Sequence, residues 1–128
     1  LVRGDAGAAH GSAVVTLQGE GSRAPFFCVA GAGGGCHWFG ELARELRPDR
    51  PFLGLEATGG GGTTAHTIED IAGKLVREIR RIQPSGPYFL GGYSTGGMVA
   101  FEIAQQLHRA GESLALLAFI EADGDRDY

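Results

Sequence analysis

The chain has 128 residues, a net charge of −4 and 43% hydrophobic residues, enough apolar material for one domain or part of one. No basic face suggests nucleic acid, and no apolar run is long enough to span a membrane. Cys28 and Cys36 lack metal-ligand spacing, so no metal site is expected; free thiols in a reducing compartment, the cytoplasm, fit better. No signal-peptide pattern is present, and a chain that begins at Leu1 without methionine reads as a piece of something longer.

Residues 1–19 read as a linker-like segment with one edge strand, and residues 20–128 as the domain proper. Gly, Ala and Ser dominate the first thirteen positions. Ala13-Val14-Val15-Thr16-Leu17 is the edge-strand candidate. Pro25-Phe26-Phe27-Cys28-Val29-Ala30 is a continuous apolar run, as expected for a strand buried on both faces. The loop Gly31-Ala32-Gly33-Gly34-Gly35 follows it. Trp38, Phe39, Leu42, Ala43 and Leu46 have helical spacing, and that helix stops before Pro48.

Pro51-Phe52-Leu53-Gly54-Leu55-Glu56 is a second core strand, and Thr58 to Thr64 a surface loop. Thr67-Ile68-Glu69-Asp70 resembles a capping box. Ile68, Ile71, Leu75, Val76, Ile79 and Ile82 then line one helix face, with Lys74, Arg77, Glu78, Arg80 and Arg81 on the solvated side. Pro84-Ser85-Gly86-Pro87 ends this helix and turns into the apolar strand Tyr88-Phe89-Leu90. A further helix runs to about Ala110, with Val99, Ile103 and Leu107 on one stripe and Gly111 suited to its C-terminal cap. Leu114 to Ile120 is another wholly apolar strand, followed by the acidic stretch Glu121-Ala122-Asp123-Gly124-Asp125. Alternating strands and helices with right-handed crossovers predict a parallel α/β sheet with helices on both faces. Chemistry in such a sheet collects at the carboxyl ends of the strands.

Three features converge there: the glycine loop after Ala30, Ser94, and the acids after Ile120. Gly92-Tyr93-Ser94-Thr95-Gly96 fits G-x-S-x-G, a strand-turn-helix elbow that exposes a nucleophilic serine. Gly92 and Gly96 flank a turn too tight for side chains. Ser94 needs a histidine base held by a carboxylate. The Thr95 backbone N–H, at the helix start, is one oxyanion donor, and Ala32 is best placed for the second. A rival reading takes the glycine loop and Glu56 as a dinucleotide-binding unit. Cys36 stands where that fingerprint needs glycine or alanine, and Ser94 is left unexplained.

The chain resembles the thioesterase domain of non-ribosomal peptide, polyketide and fatty acid synthases. The resemblance is carried by residues 25–34, Phe39-Gly40-Glu41-Leu42-Ala43, Phe52-Leu53-Gly54-Leu55, Thr67 to Ala72, Ile82 to Tyr88, Gly91 to Gly97, Phe101-Glu102-Ile103-Ala104 and Leu116 to Ile120. It implies an α/β-hydrolase fold in which Ser94 takes an acyl or peptidyl chain from the phosphopantetheine thiol of a carrier protein. Water or an internal nucleophile then releases the chain as an acid or a macrocycle. No cofactor is bound directly; the substrate arrives on the carrier's phosphopantetheine.

Three departures accompany the resemblance. The family's acid is an aspartate, where this chain has Glu121, with Asp123 as the alternative. Ala30-Gly31 stands where relatives often have His-Gly or His-Pro. The triad order of serine, acid and histidine puts the base beyond Tyr128, while His10, His37, His66 and His108 lie elsewhere. His37, just after the oxyanion loop, is the one that could approach the site. The expectation is therefore the N-terminal half of the domain, without the last strands, the lid and the base, with little turnover by itself and an open strand edge that favours self-association. Two other functions fit the same residues, a non-catalytic module that docks a carrier protein and a hydrolase of oxygen esters.

Overall fold

The structure, a computed structural model, describes residues 13–31, 35–46, 49–56 and 67–120. The leading Gly/Ala/Ser segment, the loop of residues 58–64 and the acids after Ile120 lie outside these residues. The side chains of His37, Trp38 and Leu46 are likewise outside the description.

Two short runs form the centre of the sheet: β2 (Phe26–Val29) and β3 (Phe52–Leu55), with every residue buried. They pair in parallel, Phe26 opposite Phe52 and Val29 opposite Leu55. β4 (Tyr88–Tyr93) pairs with the other side of β2, and β5 (Leu114–Ile120) with β4, both in parallel. β1 (Val14–Gln18) closes the far edge antiparallel to β3, so the described order is β1-β3-β2-β4-β5.

Successive side chains of a strand point to opposite faces, and two cores result. Phe27, Val29, Leu53, Leu55, Tyr88 and Leu90 pack with the helices on one face. Phe26, Cys28, Ala30 and Phe52 pack with Cys36, Phe39 and Ala43 on the other. No described polar or charged residue is buried.

The helices show where the sequence pattern holds and where it shifts. The segment after the glycine loop opens as a 3-10 turn, Cys36–Phe39, before α1 (Gly40–Leu46). The sequence predicts one continuous helix here; a 3-10 opening turn is common at helix starts, and Gly40 at the junction is a poor helix former. α2 (Ile68–Ile82) starts as expected: the Asp70 N–H donates to Thr67 Oγ1 at 3.0 Å. Its buried line is Ala72, Leu75 and Ile79, whereas Ile82 is 43% exposed, so the apolar face ends one turn early. Arg80, expected in solvent, reaches Glu112 at 2.9 Å, and the other Glu112 oxygen accepts from the Gly86 N–H at 2.8 Å. That pair ties the end of α2 to the turn before β5.

α3 (Gly96–Arg109) buries Val99, Ile103 and Leu107 as the spacing predicts. Gly111, at φ 91°, ends it: its N–H donates to the His108 carbonyl at 2.9 Å, and the Glu112 N–H donates to Leu107 at 3.0 Å. This is the two-bond left-handed cap for which glycine is suited. Both α2 and α3 pack on one face and α1 on the other, the two-sided layering the strand order requires. β5 is wholly apolar yet only half covered, with Leu116 45% and Phe119 60% exposed. No described helix is long and apolar enough to cross a membrane.

Candidate active site

The elbow joins β4 to α3. Ser94 adopts φ 56°, the left-handed region. A non-glycine residue is held there only when its surroundings over-determine it, at a cost of about 1 kcal/mol or more. Here the Ser94 N–H donates to the Ile120 carbonyl at 2.9 Å, and the Ser94 carbonyl accepts from Gly97 at 2.9 Å. The Thr95 carbonyl accepts from Met98 at 3.1 Å as α3 begins. The Ser94 side chain is exposed at the carboxyl end of β4.

The flanking glycines are steric necessities. A Cβ on Gly92 would run into Gly96 and stand 2.6 Å from Gly97 Cα. One on Gly96 would meet the Val29 carbonyl oxygen and lie 2.6 Å from that of Ala30. Strand β4, helix α3 and the end of β2 therefore approach backbone to backbone. Thr95 has helical angles, φ −64° and ψ −20°, at the head of α3, where the helix dipole favours developing negative charge.

Gly31 completes the described neighbourhood of Ser94. Its missing Cβ would lie 3.4 Å from Ser94 Cβ and 3.1 Å from the Tyr93 carbonyl oxygen. Ala32 and Glu121, the expected second oxyanion donor and acid, lie outside the described residues. The chain segments that lead to them, Gly31 and Ile120, both touch the elbow. Among the described residues, His108 is the one histidine whose side chain is placed. It is exposed in the last turn of α3, about 20 Å along the helix from Ser94. His10 and His66 lie outside the described residues.

Two features were not anticipated from the sequence. A groove of about 520 Å³ opens beside Ser94, lined by Ile68, Gly97, Met98, Phe101 and Phe119, with Glu69 and Glu102 also in its wall. Met98 and Phe101 lie three residues apart on the face of α3 away from its buried stripe, a signal visible in the helical spacing. The second feature is the anchoring of the glycine loop's exit. The Cys36 N–H donates to Glu56 Oε2 at 3.2 Å, and the Cys36 side chain seats over Gly54, where a Cβ would collide with it. Burial, and then the neighbouring Glu56 carboxylate, push the Cys36 thiol up to about 12; burial, with Cys36 beside it, does the same for Cys28. Both are free thiols held protonated, hence inert packing groups. No group of three or more metal-ligating side chains occurs among the described residues.

A serine at a strained strand-helix elbow, on a mostly parallel sheet with helices on both faces, defines an α/β-hydrolase-type protein. Residues 24–124 match the thioesterase domain family, and the chain belongs to it. It is 46% identical over 112 residues to indigoidine synthase of Dickeya dadantii (strain 3937), covering 84% of this chain and 8% of that protein. It is 37% identical over 111 residues to a dimodular nonribosomal peptide synthase of Bacillus subtilis (strain 168), covering 85% of this chain and 5% of that one. Among solved structures, the NocB thioesterase domain, determined as a covalent complex with a fluorophosphonate nocardicin G analog, superposes with a TM-score of 0.73 and 31% identity. That match covers 83% of this chain and 50% of the solved thioesterase-domain chain. The chain thus spans a small part of these synthetases and half of the solved domain.

Proposed function

We propose that this chain carries the nucleophile of a carrier-linked acyl thioesterase in the biosynthesis of a non-ribosomal peptide or polyketide. The observation that carries the reading is Ser94, exposed at φ 56° between Gly31 and an apolar groove. Ser94 Oγ attacks the thioester carbonyl and gives its proton to a histidine base. The carbon–sulfur bond breaks, the carrier's phosphopantetheine thiol leaves, and an acyl-serine ester remains. Attack by water or by a nucleophile within the chain then frees an acid or a macrocycle and restores the serine.

In this reading the Thr95 and Ala32 N–H groups stabilise the oxyanion, and Glu121, or Asp123, orients the base. Residues 20–128 are the thioesterase portion, and residues 1–19 are an entering segment that contributes β1. No cofactor is held directly, the partner is an acyl or peptidyl carrier protein, and the setting is the cytoplasm. The match to a dimodular nonribosomal peptide synthase supports the carrier, and the two free thiols support the compartment.

The test is active-site labelling of the protein expressed from its complete reading frame. A fluorophosphonate should modify the wild type and not Ser94→Ala, and an acyl-pantetheine thioester should be turned over faster than the matched oxygen ester. Carrier binding that survives Ser94→Ala, with no labelling of either protein, would instead identify a docking module.

A further inference from the structure

We propose that Glu56 is a positioning residue for acyl transfer at Ser94: its carboxylate anchors the exit of the loop that leaves β2, and so holds Gly31 against the nucleophile. The inference rests on the thioesterase reading above. The described chain enters this loop at Gly31 and leaves it at Gly35 and Cys36, so both ends can be fixed from outside it. Two adjacent residues do this. The Leu55 carbonyl accepts from the Ala30 N–H at 2.8 Å, holding the entry. The Glu56 carboxylate accepts from the Cys36 N–H at 3.2 Å, holding the exit.

Glu56 is itself held, because its own N–H donates to the Ala13 carbonyl at 2.8 Å, extending the β1–β3 ladder. Cys36 is fixed from below by its seat over Gly54, the register partner of Cys28. A carboxylate accepting a backbone N–H is a charge-assisted bond, stronger than the neutral bonds around it. Between these two anchors Gly31 lies against Tyr93 and Ser94, where a displacement of about 1 Å costs a reaction as much as about a hundredfold.

The experiment compares Glu56→Ala and Glu56→Gln in the protein expressed from its complete reading frame. Glu56→Ala should lower kcat for an acyl-pantetheine thioester by about tenfold or more and leave KM within about twofold. Glu56→Gln keeps an oxygen that accepts from Cys36 and should stay within about threefold of wild type. Amide hydrogen exchange in the same proteins should quicken at Cys36 and at Ala30, whose N–H is bonded to the Leu55 carbonyl, in Glu56→Ala, with α2 unchanged. Wild-type kcat in Glu56→Ala, equal damage in both variants, or loss of protection throughout α2 would each overturn the positioning role. If wild type and Ser94→Ala are equally inactive, the thioesterase reading fails, and exchange at Cys36 and Ala30 alone decides whether Glu56 holds the loop.

Discussion

Gly31 packs on Ser94: a Cβ added to Gly31 would stand 3.4 Å from the Ser94 Cβ. The chain therefore leaves β2 at the same point where the nucleophile leaves β4, although the two residues are 63 positions apart in sequence. The register of β2 against β4, with Val29 opposite Gly92, sets that meeting.

The left-handed angle of Ser94 makes function and stability oppose each other at one position. Ser94→Gly should match or exceed the wild type by up to about 1 kcal/mol while abolishing labelling. Ser94→Val, β-branched at a positive φ, should lose at least about 1 kcal/mol. Urea titration of the three proteins checks the order.

Gly96 and Gly31 both border the elbow, but a methyl at Gly96 collides with the Val29 carbonyl and lies 2.6 Å from that of Ala30, whereas one at Gly31 stands 3.1 Å from its nearest neighbour, the Tyr93 carbonyl. Gly96→Ala should therefore cost about 1–3 kcal/mol or more and displace Ser94, whereas Gly31→Ala should cost about 1 kcal/mol or less. Equal midpoints for the two variants would contradict this account of the turn.

The buried thiols predict a pH dependence. Cys28 and Cys36 are raised from 9.0 to about 12, so above pH 9 the unfolded chain releases protons that the folded chain retains. The folded state binds more protons, and stability should fall as pH rises from about 9 toward 12, by up to about 1.4 kcal/mol per pH unit for each thiol. Below about pH 8 both thiols are protonated in the folded and the unfolded chain, and the slope vanishes. Urea midpoints at pH 8 and pH 10.5, and thiol alkylation that waits for unfolding at pH 8, test both consequences.

Among the described residues β5 pairs with β4 on one side only, and it leaves Leu116 and Phe119 about half exposed, on opposite faces of the sheet. An open, apolar strand edge favours pairing between copies. The 128-residue chain should sediment as an associating species, and Leu116→Lys should shift it toward monomer. A stable monomer with a single cooperative unfolding transition would argue against this.

The local pattern decided much of this protein. Apolar runs at Phe26–Val29 and Phe52–Leu55, the Thr67 cap, the Val99-Ile103-Leu107 stripe and the Gly111 cap follow from side-chain periodicity and backbone stereochemistry, which act over a few residues. The G-x-S-x-G elbow was legible for the same reason: its glycines answer to the geometry of one turn. Other features depended on which strands become neighbours. The Gly31–Ser94 contact, the Glu56–Cys36 bond, the Arg80–Glu112 pair and the groove between Ile68 and Phe119 each join residues far apart in the chain. No short-range propensity encodes such pairs, because they arise only when parallel strand pairing brings separate segments together, at the amino end of the sheet for Arg80–Glu112 and at its carboxyl end for the Gly31–Ser94 and Glu56–Cys36 pairs.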